Sequence, residues 1–147
     1  DDDPLGQDDW IAPPGSGSVI AIIATDAPLL PHQCKALARR VPLGLARTGT
    51  TGSHFSGDIF LAFSTGNPGQ FAGGFPLGEP REDEIAQLEV LPWTRLDDLF
   101  AATVQSVEEA VVNALVANEE MHGRLGRRVP ALPRERVVEL LRAAGRI

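Results

Sequence analysis

The stretch GSGSVIAIIATDAPLL, residues 15–30, sets a small, flexible Gly-Ser-Gly-Ser series directly against an unbroken apolar run. The run VIAIIA, residues 19–24, is rich in β-branched side chains and is closed by Thr25-Asp26-Ala27-Pro28, so it reads as a strand rather than a helix segment. Because it does not alternate apolar with polar, it predicts a central strand buried on both faces, which requires layers above and below it. Ser18 is the last polar residue before burial begins.

Upstream, residues 1–17 combine an acidic start, a lone Trp10 and Pro-Pro-Gly-Ser-Gly, a composition that resists regular structure and predicts an exposed flexible tail. Downstream, Pro31 opens a basic helical segment in which Leu37 and Val41 share a face, and Pro42 and Gly44 are expected to interrupt it. RTGTTGSHFSG, residues 47–57, is a hydroxylated Gly-rich loop leading into a second strand, DIFLAFS, residues 58–64. A long Gly/Pro loop from Thr65 to about Asp83 and a third strand candidate, EIAQLEVLP, follow. Thr94 and Asp97 form a capping-box variant ahead of the longest helix, whose stripe of Leu96, Leu99, Phe100, Val104, Val107, Val111, Ala114 and Leu115 predicts a core face. A short helix from about Pro133 to Ala144 ends at Gly145.

With 147 residues, 43% hydrophobic and 22% charged, the chain has material for a single core. Its net charge of −7 argues against a phosphate-tracking surface, so no nucleic-acid partner is expected. No window approaches the roughly 18–20 uninterrupted apolar residues of a membrane span, and no membrane association is expected. The single Cys34 cannot form an intrachain disulfide, and no ligand cluster predicts a metal or another cofactor. His32 lies two residues before Cys34, but a helix-start position fits it better than a catalytic dyad.

The residues around Ser18 leave two readings open. GSG before a strand is neither a nucleophile elbow, which needs a strand before the serine and a helix after it, nor a phosphate loop. It is either a linker meeting a domain or a cleavage point, where cutting Gly17-Ser18 makes the serine's own α-amine the base that activates its hydroxyl. Ser56-Gly57-Asp58 is similarly either a turn into a strand or a polar pair serving a nucleophile.

Three long segments, GSVIAIIATDAPLLPHQCKALARRVPLGLARTGT (17–50), SGDIFLAFSTGN (56–67) and EEAVVNALVANEEMHGRLGRRVPAL (108–132), resemble the smaller, C-terminal subunit of the self-processing serine aminopeptidases. That family includes the D-aminopeptidase/L-aminopeptidase enzymes and the β-peptidyl aminopeptidases. The resemblance implies an α/β fold, part of a four-layer α/β/β/α sandwich of the N-terminal-nucleophile hydrolases. It implies autocleavage between Gly17 and Ser18, Ser18 as nucleophile, and Ser56 and Asp58 as its catalytic partners; some relatives carry Glu at the acidic position. Residues 1–17 are then the end of the larger subunit and 18–147 the smaller one. Activity is expected to need that larger subunit, which supplies the oxyanion-stabilising and amino-terminus-binding groups, and a homotetramer of two-chain units is implied. Substrates are expected to be peptides, amino acid amides or esters. The compartment, cytoplasmic or periplasmic, is left open, any signal peptide belonging to the larger subunit. Two other readings stand beside this one: a non-catalytic scaffold of the same fold, and an acyltransferase related to ornithine acetyltransferase, which uses a threonine where Ser18 stands. Asn113, His32, His54 and Arg39 are assigned cap, loop or helix-face roles.

Overall fold

A computed structural model describes residues 17–70, 85–126 and 128–147. The expected tail, apart from Gly17, and most of the Gly/Pro loop after Thr65 lie outside the described residues.

The apolar run forms β1 (Ile20–Thr25), and its partner β2 is Ile59–Ser64. The two pair in parallel, with Ile20 opposite Ile59 and Thr25 opposite Ser64. Parallel neighbours need a crossover, supplied here by α1 (Pro31–Ala38) and α2 (Val41–Arg47). Pro42 and Gly44 therefore do not end the helical segment as expected. The chain turns at Arg39-Arg40, and Pro42 falls in the first turn of a new helix, where its missing N–H leaves no bond unmade. Gly44 is required by packing: a Cβ there would stand 2.7 Å from the Val104 carbonyl oxygen and 2.7 Å from Val107 Cβ, so glycine permits the close approach of α2 to the following helix.

That helix, α3 (Asp97–Ala117), does not use the expected capping box. Thr94 lies in a 3-10 turn, Trp93–Arg95, which feeds directly into the helix, while Asp97 and Asp98 occupy the first turn and face the positive end of the helix dipole. The expected core stripe is buried only in its first half. Leu96 and Val107 are buried, whereas Leu115 is half exposed. α3 also has the length and, at 1.3 over its most apolar window, the mean hydropathy of a membrane span, although Gln105, Ser106, Glu108, Glu109 and Asn113 interrupt its apolar run as expected. Its packing on α2 and the Arg47–Glu108 ion pair at 2.6 Å tie it to the helical layer of this domain.

The helices cover one face of the sheet. Leu29, Cys34, Leu37 and Leu96 form one buried cluster against Ile23 and Ala62, and Val41, Leu45 and Val107 form a second against Val19, Ala21 and Phe60. Buried Gln33 joins the layers: its Oε1 accepts from the Leu30 amide at 2.9 Å, and its Nε2 donates to the Leu91 carbonyl at 2.7 Å. The other face stands open. Ile20, Ile22, Ile59, Leu61 and Phe63 are 43–69% exposed, so β1 is apolar on both faces as expected but covered on only one among the described residues. Covering each of these side chains is worth roughly 1–2 kcal/mol, and a two-stranded sheet is marginal alone. An apolar face left open is what one sheet of the expected four-layer sandwich would present.

No strand forms over residues 85–92. The segment is tied instead by the Asn67 side chain, which exchanges two hydrogen bonds with the Glu89 backbone, and by the Leu91 amide donating to the Pro28 carbonyl at 2.9 Å. Beyond α3, a short antiparallel pair not anticipated from sequence, β3 (Met121–His122) and β4 (Arg128–Val129), leads to α4 (Arg134–Ala143). Gly145 ends α4 at φ 64°, its amide bonding to the Arg142 carbonyl and that of Arg146 to the Leu141 carbonyl, which satisfies the last carbonyls.

Candidate active site

Parallel pairing puts the entrances of both strands at the same end of the sheet. With Ile20 opposite Ile59, Ser18 falls beside Gly57, and the two segments singled out from sequence meet although they are 39 residues apart. The Gly57 amide donates to Ser18 Oγ at 2.8 Å. Next to it, Asp58 Oδ1 accepts from the Val19 amide at 2.9 Å, and the Ile59 amide donates to the Val19 carbonyl at 3.0 Å. The residue following Ser18 is thus held through both its backbone groups. The Ser56 side chain, then the Val19 amide, holds the Asp58 carboxyl below the usual carboxylate range, since both stabilise its charged form.

Ser18, Ser56 and Asp58 are therefore brought together, but not as a linear chain of side chains. Ser56 stabilises the charged Asp58 carboxylate, Asp58 bonds to the backbone beside Ser18, and the Ser18 hydroxyl is met by a backbone amide. The Gly57 amide was missed in the sequence because a backbone donor leaves no residue-type signal; only the strand register reveals it. Gly57 is not there for conformational freedom, as a Cβ at this position would stand in ordinary contact with Ser18 Oγ at 3.6 Å. Gly17 is different. Its φ of +155° is one that side chains of the L configuration rarely adopt, and the space around it is open.

These groups line a cavity of about 340 Å³ whose far wall is the hydroxylated loop, with Thr48, Thr50, Gly52 and Ser53 joined by Leu45 and Val111 from the helices. The loop is organised by its own side chains. Thr48 Oγ1 donates to the Leu45 carbonyl at 2.7 Å, Thr50 Oγ1 accepts from the Gly52 amide at 3.1 Å, and Ser53 Oγ accepts from the Phe55 amide at 3.3 Å. Such hydroxyl-to-backbone bonds replace a regular ladder and shape a fixed turn. The four polar residues set aside from sequence stay outside this cavity: His32 stacks on Trp93 at the start of α1, His54 stacks on Phe55, Arg39 is exposed in the turn after α1, and Asn113 is exposed on α3. Cys34 is buried in the core, where desolvation pushes its thiol pKa up and away from nucleophilic use.

Chemically, the site presents one hydroxyl oxygen with a donor already aimed at it, an ionised carboxylate at its base and a rigid strand behind it. This suits a nucleophile held in a fixed orientation.

Known proteins share this arrangement of chain. A β-peptidyl aminopeptidase, BapA, of Sphingosinicella microcystinivorans is 41% identical over 135 residues, 91% of this chain but 32% of the relative. Its counterpart in Sphingosinicella xenopeptidilytica is 39% identical over 132 residues. Among solved structures, the β-aminopeptidase of a Burkholderia species matches with a TM-score of 0.75 at 44% identity, over 87% of this chain and 35% of that one. The L-aminopeptidase D-Ala-esterase/amidase of Ochrobactrum anthropi, described as a prototype of the serine aminopeptidases and a variant of the Ntn hydrolase fold, matches with a TM-score of 0.72 at 42% identity, over 97% of this chain and 38% of that one. The chain spans about a third of the length of these relatives. Its sheet, helical layer and open second face are those of an α/β fold of this Ntn type. Residues 3–129 match peptidase family S58, and the chain belongs to that family.

Proposed function

We propose that this chain carries the nucleophile of a self-processing serine aminopeptidase, completed by a larger partner from the same precursor. The observation that carries the reading is the placement of Ser18 Oγ at the mouth of β1, 2.8 Å from the Gly57 amide and beside the Asp58 clamp on Val19.

In self-processing, Ser18 Oγ adds to the Gly17 carbonyl carbon, the Gly17-Ser18 C–N bond breaks, and water hydrolyses the resulting ester. Gly17 is left with a carboxylate and Ser18 with a free α-amine. Residues 1–17 become the end of the larger subunit, and 18–147 form the smaller one. The positive φ of Gly17, which glycine adopts without steric cost, and the open space around it leave the scissile bond free to turn toward the Ser18 hydroxyl. In turnover, the α-amine takes the proton from Oγ as the hydroxyl attacks the first carbonyl of a peptide, amide or ester, then delivers it to the departing amine; water releases the acyl group. Asp58 fixes the backbone that bears the nucleophile, and Ser56 fixes Asp58. A further oxyanion donor comes from the larger subunit; such a donor contributes about 3–4 kcal/mol to lowering the barrier.

The test is release of p-nitroaniline from aminoacyl p-nitroanilides by the full-length protein. Wild type is expected to turn over, and Ser18→Ala to be both uncut and inactive. Equal rates in the two proteins would reject the reading in favour of a scaffold or a different nucleophile.

A further inference from the structure

The wall of the Ser18 cavity formed by the hydroxylated loop is one-sided in its hydrogen bonding. A hydroxyl carries one donor and two acceptor positions. Thr50 Oγ1 accepts from the Gly52 amide at 3.1 Å and Ser53 Oγ from the Phe55 amide at 3.3 Å, so the backbone orients both oxygens. Among the described residues neither hydroxyl donates in turn, which leaves two O–H donors on this wall. Thr48 differs, since its own proton goes to the Leu45 carbonyl at 2.7 Å. Leu45 and Val111 add apolar surface, and Asp58 carries the one charge among the described lining residues.

Gly17 lines the same cavity at its Ser18 end. Its carbonyl is the first that Ser18 attacks in self-processing, so it marks where each later scissile carbonyl must lie. A Cβ on Gly17 would meet nothing within 4 Å, and the space beyond that point is open. Two halves of a substrate diverge from the scissile carbonyl. The acyl half ends in an ammonium, which would use a lone pair on each hydroxyl and leave both O–H donors unmatched. The leaving half of a peptide brings a carbonyl acceptor one residue further on, and that carbonyl matches the donors. Asp58, with Oδ1 already accepting from the Val19 amide, opposes an acidic side chain in this place.

We propose that Thr50 and Ser53 form the subsite for the residue after the scissile bond, their hydroxyls donating to its carbonyl while Leu45 and Val111 receive an uncharged side chain. The proposal rests on the serine aminopeptidase reading and adds a preference to it. Peptide leaving groups are favoured over alkylamines of the same length, and apolar second residues over acidic ones.

The test uses the full-length protein and two substrates built on the amino acid whose p-nitroanilide turns over fastest. Its glycinamide conjugate carries the second carbonyl, and its N-propylamide has similar length without it. The readout is the ratio of kcat/KM for the two, compared between variants and wild type, so that the different basicity of the leaving amines and any loss of folded enzyme cancel. Thr50→Val and Ser53→Ala are each expected to lower the ratio about 3- to 10-fold, the effect of one hydrogen bond, and Thr50→Ser to keep it. Variants that slow both substrates equally would overturn the subsite and leave the aminopeptidase reading standing. Absence of wild-type turnover on every substrate would reject both.

Discussion

Gly44 is where the fold constrains the site most tightly, and Gly44→Ala is the perturbation that measures it. The added Cβ would meet the Val104 carbonyl oxygen at 2.7 Å, Val107 Cβ at 2.7 Å and Val107 Cγ1 at 2.8 Å. Comfortable contact begins near 3.5 Å, so α2 must retreat from α3 by about 0.8 Å. Two of the three obstacles are a main-chain oxygen and a Cβ, which no rotamer change can move. Overpacking of this kind costs about 1–3 kcal/mol, while alanine in place of glycine returns about 1 kcal/mol of helix propensity. Because neither the oxygen nor the Cβ can move aside, the cost falls in the upper part of that range, about 2–3 kcal/mol, and the net loss is about 1–2 kcal/mol, or roughly 2–8 °C in the thermal midpoint of a chain this size. Of these three obstacles Val107→Ala removes only Cγ1, and it is expected not to restore the loss. Because Leu45 and the loop after α2 line the cavity beside Ser18, the same retreat displaces that wall, and kcat/KM is expected to fall about 10- to 100-fold. Differential scanning calorimetry and anilide turnover read the two effects. An unchanged or raised midpoint, or full rescue by Val107→Ala, would refute the reasoning.

Gly66→Ala should be costlier still, by about 3 kcal/mol or more in denaturant unfolding, because its Cβ would strike Pro28 Cα and N and the Asp26 carbonyl, all of them main chain. Gln33→Ala leaves the Leu30 amide and the Leu91 carbonyl without partners in the interior, and a loss of about 1–3 kcal/mol is expected by the same measurement. Asp58 is held below its unfolded pKa, so its contribution is present above about pH 4 and fades only as pH falls through the lower folded value. On the proposed mechanism the Ser18 amine must be neutral to act, so kcat/KM should rise through a limb near the model α-amine value of about 8. Asp58→Asn keeps an acceptor for Val19 but removes a neighbouring negative charge, and the pH profile should show that limb shifted to lower pH.

Both strands of the sheet, the long helix and the Gly145 stop were legible in the sequence, because each announces itself locally through an apolar run, a 3.6-residue stripe or a left-handed glycine. What the sequence concealed depends on contacts between distant segments. Pro42 and Gly44 look like breakers until α3 is seen against them, and residues 85–92 have strand character but no strand beside them. The exposed half of the α3 stripe was read as core because periodicity reports which face is apolar, not what covers it. At the site, Ser18, Ser56 and Asp58 were singled out by residue type and spacing, and their meeting follows from the register of a parallel pair. The Gly57 amide and the hydroxylated wall at Thr48 and Thr50 had no comparable signal, since backbone donors and common loop hydroxyls are specified only by position.

The most direct measurement is the N-terminal sequence of each polypeptide in a fully active preparation. The proposed mechanism predicts a chain beginning Ser18-Val19-Ile20, in equal amount to a larger chain ending at Gly17. Undiminished turnover by a protein in which Gly17 and Ser18 remain joined would contradict it.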